Sequence, residues 1–263
     1  GLMPPTSGGE GFFCSEWVDF MPLYANTLKE AIITEVGSTS NDSDMQPLKG
    51  IKIVLNSGNG SGGFFHGVLQ ELGADVSASV HVEPNGEFPA GIPNPEYALM
   101  IEETTKICQT VGADLGIMLD TDSDRSGFVV PVTNKKDGSV QYEPLNRNRL
   151  IALLSVIFSR TSPGCAIVTD SVTSEGLATF IEDKLGLQHV RYLKGYANVI
   201  GKAQELTESG KANAEMAIET SGHCAMKENG YLDDGTYTAV KVIGLLAREK
   251  QSKDGQGLLD LIA

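Results

Sequence analysis

Asp114-Leu115-Gly116-Ile117-Met118-Leu119-Asp120-Thr121-Asp122-Ser123-Asp124-Arg125 changes character halfway along. From Leu115 to Leu119 it is apolar with one glycine, the pattern of a strand covered on both faces inside a parallel sheet. From Asp120 onward a carboxylate stands at every second position. A strand followed by such a run predicts three acids delivered together to the C-terminal edge of a sheet.

Upstream, Ile51–Leu55 is a short β-branched run ending in a glycine cluster. It predicts a strand, then a turn, then a helix over His66–Leu72 closed by Gly73, with a second strand over Ala74–Val82. Glu83–Pro95 holds four prolines and predicts a surface loop, and Glu96–Val111 predicts a helix with Leu99, Ile107 and Val111 facing inward. Still earlier, Phe20, Leu23, Tyr24, Leu28 and Ile32 recur at helical spacing, predicting a helix over Trp17–Val36. It is preceded by a loose Gly, Ser and Pro leader over residues 1–16 and followed by a polar loop over Thr39–Gln46.

Downstream, Lys135-Lys136-Asp137-Gly138 predicts a hairpin between Phe128–Val132 and Val140–Glu143. A second alternation then follows, with helices over Arg149–Phe158, Ser174–Leu185 and Val199–Glu208 and strands over Ala166–Thr169, Val190–Leu193 and Ala214–Ile218. The last helix is predicted over Gly235–Glu249 with Asp234 as its N-cap. The expected fold is α/β, two successive domains that are each a mostly parallel sheet flanked by helices. They divide near Pro144 into residues 17–143 and 144–263.

The 263 residues include 20 Lys plus Arg against 34 Asp plus Glu, a formal net charge of −14. Such a chain repels nucleic-acid backbones and anionic membranes at long range. No apolar run approaches the roughly 20 residues of a bilayer span, and Gly1-Leu2-Met3-Pro4-Pro5 lacks the features of a secretory signal. Cys14, Cys108, Cys165 and Cys224 are scattered with no C-x-x-C pair, which argues against a disulfide framework or a zinc site. The expectation is a soluble monomer in a reducing compartment, the cytoplasm or a plastid stroma.

Three carboxylates as close as Asp120, Asp122 and Asp124 raise one another's pKa unless a cation lies between them, so the spacing predicts a divalent-metal loop, with oxygen-only ligands favouring Mg²⁺. The plainer reading is a solvated acidic turn. An EF-hand is excluded because Arg125 and Pro131 stand where Gly and Glu are required. A haloacid-dehalogenase-like D-x-D-x-T is missed because Asp124 replaces the Thr. Gly58-Asn59-Gly60-Ser61-Gly62-Gly63 satisfies G-x-G-x-x-G, with Glu83 twenty residues beyond Gly63, and leaves open either a dinucleotide site or a tight strand-to-helix turn. Glu219-Thr220-Ser221-Gly222-His223 places a carboxylate, a hydroxyl and an imidazole on one loop, suited to vicinal sugar hydroxyls, or simply caps the next turn. Lys194, Arg191 and Lys227 are candidate phosphate contacts. His66, His81 and His189 have no partners at ligand spacing, and Asp233-Asp234-Gly235 reads first as a helix start.

Taken together these motifs resemble the α-D-phosphohexomutase family, which includes phosphoglucomutase, phosphomannomutase and phosphoglucosamine mutase. The resemblance is carried by Asn56–Gly63, Phe88-Pro89, Pro93–Glu96, Gly112–Gly116 running into Asp120–Arg125, Asp170–Ser174, Glu219–His223 and Asp233–Gly235. The wording of Glu219–His223 and of Lys227-Glu228-Asn229 looks most similar to plant and algal members. Members have four domains, and this chain resembles the second and third. The resemblance implies Mg²⁺ held by Asp120, Asp122 and Asp124, with Arg125 stabilising a phosphoryl group passed between a phosphoserine and a hexose phosphate through a bisphosphate. It also implies Glu219 and Ser221 on sugar hydroxyls, with His223 beside them.

The chain departs from the family in three places. No Ser-His-Asn occurs in the 263 residues, and the resemblance implies that the nucleophile and the phosphate clamp come from domains 1 and 4 of a parent chain, expected as partners. Leu193-Lys194-Gly195 moves a basic residue by one position, and Ala217-Ile218 stands where two glycines are usual. On this reading the chain is a phosphohexomutase fragment, inactive alone. The alternatives are a non-catalytic sugar-phosphate-binding or regulatory module and, further off, a nucleotide-binding oxidoreductase.

Overall fold

The structure, a computed structural model, describes residues 18–37 and 46–263. The expected leader over residues 1–16, the helix start at Trp17, and all of the loop over Thr39–Gln46 but its last residue lie outside the described residues. Two four-stranded sheets follow one another along the chain, each flanked by helices.

In the first sheet β1 (Ile53–Asn56) and β2 (Leu115–Leu119) are parallel, and β3 (Ser126–Thr133) and β4 (Val140–Pro144) continue antiparallel in the order β1-β2-β3-β4. Every residue of β1 and β2 is buried, as their largely apolar sequences require, and the one polar member, Asn56, donates to Thr104 Oγ1 at 3.0 Å. The strand predicted over Ala74–Val82 is reduced to two parallel bridges, Asp75 to Lys52 and Val80 to Asn56. Its middle bends because the Asp75 carboxylate accepts from the Ser77 amide and hydroxyl, and Ser79 N–H donates to the Val76 carbonyl. This local turn competes with the ladder.

In the second sheet β5 (Ala166–Asp170) is central, parallel to β6 (Gln188–Tyr192) and to β7 (Ala214–Ile218), with the short antiparallel β8 (Cys224–Met226) at the edge. The sequence patterns did not anticipate β8. Both sheets are therefore mixed, with the parallel pairs presenting their C-terminal ends to one side.

Seven α-helices cover the sheets among the described residues: α1 (Met21–Val36), α2 (Phe65–Glu71), α3 (Ala98–Val111), α4 (Arg147–Thr161), α5 (Glu175–Thr179, continued by a π-turn through Lys184), α6 (Tyr196–Glu208) and α7 (Gly235–Gln251). Pro22 lies in the first turn of α1, where a missing N–H is harmless, and Leu28, Ile32 and Val36 are its buried face, leaving Phe20 and Leu23 exposed. On α3 the inward face is Met100, Thr104 and Cys108, and Leu99, expected inside, is 61% exposed. The face is turned because Cys108 and Thr104 fill the space over Gly116, where a Cβ would stand 2.7 Å from the Cys108 sulfur.

Helix α7 is buried from Gly235 to Ala247 except at Tyr237, contacting β2 and β3 of the first sheet, β8 of the second, and α1 along much of its length. One continuous core includes Ile32 on α1, Leu115 and Ile117 on β2, Ile167 on β5 and Ile243 on α7. Gly244 permits the α1 crossing, since a Cβ there would collide with the Glu35 Cβ. Lys241, 2% exposed, ion-pairs with Glu35 and with Glu228 at 2.7 Å and lies 5.4 Å from the centre of the Phe158 ring. Arg248 adds a second cation to Glu35 at 2.9 Å. No helix among the described residues is long and apolar enough to cross a membrane.

A core shared across both sheets should unfold as one unit. Ile243→Ala, in the middle of α7, should destabilise the chain by about 2–5 kcal/mol and shift a single urea transition seen coincidentally by far-UV circular dichroism and tyrosine fluorescence. Two separated transitions would refute the shared core.

Candidate functional site

Strand β2 delivers Asp120, 1% exposed, to the sheet edge, where the loop to β3 closes on itself. Arg125 donates its backbone N–H to Asp120 Oδ1 at 3.1 Å and its Nε–H to Oδ2 at 2.8 Å, so Asp120 is ion-paired within the loop. Carboxylate oxygens of Asp120, Asp122 and Asp124 lie within 4.8 Å of one another. Burial first, then the neighbouring carboxyl of Asp120 and the charge of Asp122, push the Asp124 carboxyl up to about 7, with His223 acting in the opposite direction. Asp124 Oδ1 is buried with no hydrogen-bond partner among the described residues, Arg125 Nε lying 3.6 Å from it as an ion-pair neighbour. An orphaned carboxylate oxygen beside two further carboxylates suits a hard cation with oxygen ligands, so the residues present fit a divalent metal.

The glycine-rich turn lies beneath this loop as a platform. Ser61 N–H donates to the Thr121 carbonyl at 2.9 Å, and the hydroxyls of Ser61 and Ser123 are 3.1 Å apart. A Cβ at Gly60 would stand 2.8 Å from the carbonyl oxygens of Asp120 and Thr121, and one at Gly62 2.6 Å from the Ser123 hydroxyl. Gly63 is pressed against the Val82 carbonyl. The close approaches of Gly60 and Gly63 are to carbonyls of this chain and that of Gly62 is to the Leu119 and Ser123 side chains, so the glycines serve the chain's own packing as a tight strand-to-helix turn does. The dinucleotide alternative is thereby corrected, and with it the oxidoreductase.

On the second sheet β7 ends just before Glu219, 5% exposed. Its Oε1 accepts the Gly195 N–H at 2.6 Å and its Oε2 accepts the Ser221 hydroxyl at 3.2 Å. Thr220 is anchored by its N–H and hydroxyl to Asp170 Oδ2, at 3.0 and 2.7 Å. His223 Nδ1 lies 2.7 Å from Asp233 Oδ2 and 3.5 Å from Asp124 Oδ2, and its ring stacks on Tyr196 at 5.0 Å. The hydrogen bond to Asp233 raises the imidazole's pKa, against the opposing effect of burial.

The two loops meet directly. Arg125 and His223 form an antiparallel bridge between the sheets, and Gly222, at φ +100°, lets its loop approach Arg125. Asp120, Asp122, Asp124, Arg125, Glu219, Ser221 and His223 are thus gathered at one edge, and Lys194 adjoins them through Gly195. Lys227 does not join them. Its Nζ donates to Asn213 Oδ1 at 2.6 Å, at the start of β7, so the five residues of that strand separate it from Glu219. The cause is β8, which carries the chain back down the sheet after His223. A cleft of about 1000 Å³ opens over the acidic loop, lined by Asp122, Asp124 and Asp233 together with Tyr24, Phe64 and Val82.

Sequence reasoning gave no part to Asp170, fully buried under Thr220, nor to Asp233 as the partner of His223. Both stand in stretches quoted for the family resemblance, but their partners come from distant parts of the chain.

Residues 23–133 match the family description phosphoglucomutase/phosphomannomutase, alpha/beta/alpha domain II, and residues 146–261 match domain III of the same family. The chain is 30% identical to a phosphomannomutase/phosphoglucomutase of Pseudomonas putida over 213 residues, which cover 80% of this chain and 42% of that protein. A protein of the same description from Pseudomonas aeruginosa is 27% identical over 241 residues, 91% of this chain and 46% of the relative. The crystal structure of a phosphoglucomutase/phosphomannomutase family protein from Burkholderia thailandensis superposes with a TM-score of 0.67 at 26% identity, covering 90% of this chain and 46% of that one. The chain spans less than half the length of these relatives. With its acidic loop and its Glu219–His223 loop on two sheets that match successive domains of one family, it belongs to the phosphoglucomutase/phosphomannomutase family and carries domains II and III.

Proposed function

We propose that this chain is the metal- and sugar-binding part of a phosphohexomutase that interconverts hexose 1-phosphates and 6-phosphates through a phosphoserine and a bisphosphate, the serine and the phosphate clamp being supplied by other domains of a longer parent. The observation that carries this is the junction of the two loops, where the Arg125–His223 bridge sets Asp124 Oδ2 3.5 Å from His223 Nδ1. Phosphoryl transfer depends mainly on positioning and charge stabilisation, and a junction of this kind places charge-bearing and hydroxyl-binding groups side by side.

Asp120, Asp122 and Asp124 would hold Mg²⁺, which when bound supplies positive charge to phosphoryl oxygens. Arg125 engages Asp120 through Nε, and its guanidinium would stabilise the phosphoryl group in transfer. Glu219 and Ser221 hold sugar hydroxyls, on a loop fixed from below by Asp170. Asp233 takes the Nδ1–H of His223, so that Nε2 is the atom presented to a hydroxyl proton. Lys194 stands at the rim for the substrate phosphate. We place the boundary between the two domains near Pro144, where β4 ends and Asn146 caps α4 by accepting the Arg149 N–H at 2.9 Å. Three buried free thiols, Cys108, Cys165 and Cys224, support a reducing compartment, cytoplasm or plastid stroma.

Titration with Mn²⁺ should find one site in the wild-type chain that is lost in Asp122→Ala, and equal binding by the two would remove the metal assignment. Ser221→Ala should weaken glucose 1-phosphate binding about fivefold by calorimetry, the effect of one lost hydrogen bond. The chain alone should bind Mn²⁺ yet show no mutase turnover. Turnover without added protein would place the nucleophile inside these residues.

A further inference from the structure

We propose that Gly235 is a positioning residue of the acidic loop, fastening it to α7 of the second sheet. The inference rests on Asp120, Asp122 and Asp124 being cation ligands, and it goes further in assigning a residue that touches no ligand to the geometry of that site.

Ser123 stands between two of the acids and has φ +67°, a left-handed conformation that a non-glycine residue keeps only when its surroundings hold it there. The hold is visible, because the Ser123 carbonyl accepts the Gly235 N–H at 2.9 Å across the junction of the two sheets. Only glycine fits opposite it. A Cβ at position 235 would stand 2.6 Å from the Arg125 carbonyl carbon, 2.8 Å from the Ser123 oxygen and 2.9 Å from the Arg125 nitrogen.

The donor is itself immobilised. Asp233, two residues before, accepts from the Cys224 N–H at 2.9 Å and from His223. Asp234 caps α7 through the Tyr237 N–H at 2.9 Å and receives the Tyr24 hydroxyl from α1 at 2.8 Å. Asp233-Asp234-Gly235 is therefore more than a helix start. Its three residues tie the Glu219–His223 loop, the α1–α7 pair and the acidic loop to one point, so the spacing of Asp122 and Asp124 is set by backbone from the other sheet. Groups that orient ligating residues commonly change metal affinity by 10–100-fold when removed.

The test is Mn²⁺ binding to the full chain, followed by the electron paramagnetic resonance of free Mn²⁺. Gly235→Ala should weaken binding roughly 10–100-fold. The comparator is Gly244→Ala on the same helix, whose Cβ collides with Glu35. It should lower the melting temperature while leaving Mn²⁺ affinity within about twofold of wild type. Unchanged affinity in Gly235→Ala, or an equal loss in both variants, overturns the proposal. If wild type binds no Mn²⁺, the cation reading fails and this inference with it. Should Gly235→Ala not fold, the wild-type chain decides, because coupling is reciprocal: saturating Mn²⁺ should slow hydrogen exchange of the Gly235 amide about tenfold, and an unchanged rate overturns the proposal.

Discussion

Three carboxylates confined to one short loop at a sheet edge are the constraint from which the rest of this structure follows. Like charges held this close move apart, gain protons or take up a cation. Here moving apart is prevented, because Asp120 is buried at the end of β2 and paired with Arg125, and Asp124 is enclosed on its His223 side. Asp124 accordingly holds its proton up to about 7. The glycine-rich turn, strand β2 and the start of α7 hold the loop backbone, while Asp122 stays exposed toward the cleft.

Helix α7 links stability to site geometry. It is buried by both sheets and by α1, so its position is over-determined by packing before any ligand is considered. Its buried charge has little latitude, since Lys241 is shared between Glu35 and Glu228, from α1 and from the turn after β8. A buried pair of this kind is weak evidence for net stability, because desolvation offsets much of the Coulombic gain. It does disfavour other registers of α1 on α7, since sliding either helix would leave a charge unpaired. The N-terminus of the same helix bears on the acidic loop, so a shift in packing there is felt at the carboxylates.

Much of the architecture is legible in local patterns. The apolar run Leu115–Leu119 marks a fully buried strand, Asp234 marks the start of α7, and Lys135–Gly138 marks the turn before β4. Other signals misled where a neighbour decided the outcome. Ala74–Val82 has strand composition but turns at Ser77, because a short side-chain bond to Asp75 outcompetes a ladder at the sheet's edge. Leu99 is apolar and exposed, because Gly116 made room for Cys108 instead. The glycines of residues 58–63 match a phosphate-binding spacing, yet they pack against Pro93, the acidic loop, Leu119 and Val82 of the same chain.

Chain order and residue type alone determined that this is an α/β protein, that three acids follow a buried strand, and that a Glu-Thr-Ser-Gly-His loop follows another. Those features depend on residues a few positions apart, whose periodicity and mutual repulsion are local. Only the tertiary structure decided that Arg125 pairs with His223, that Asp233 holds the imidazole, that Gly235 pins Ser123 and that Lys227 faces the opposite end of its sheet. The Arg125–His223 and Ser123–Gly235 contacts join the two sheets where α7 packs between them, while the places of Asp233 and Lys227 follow from the course of β8. The packing of α7 is a sum of many weak, non-directional contacts over distant segments, and no short stretch of sequence records its outcome.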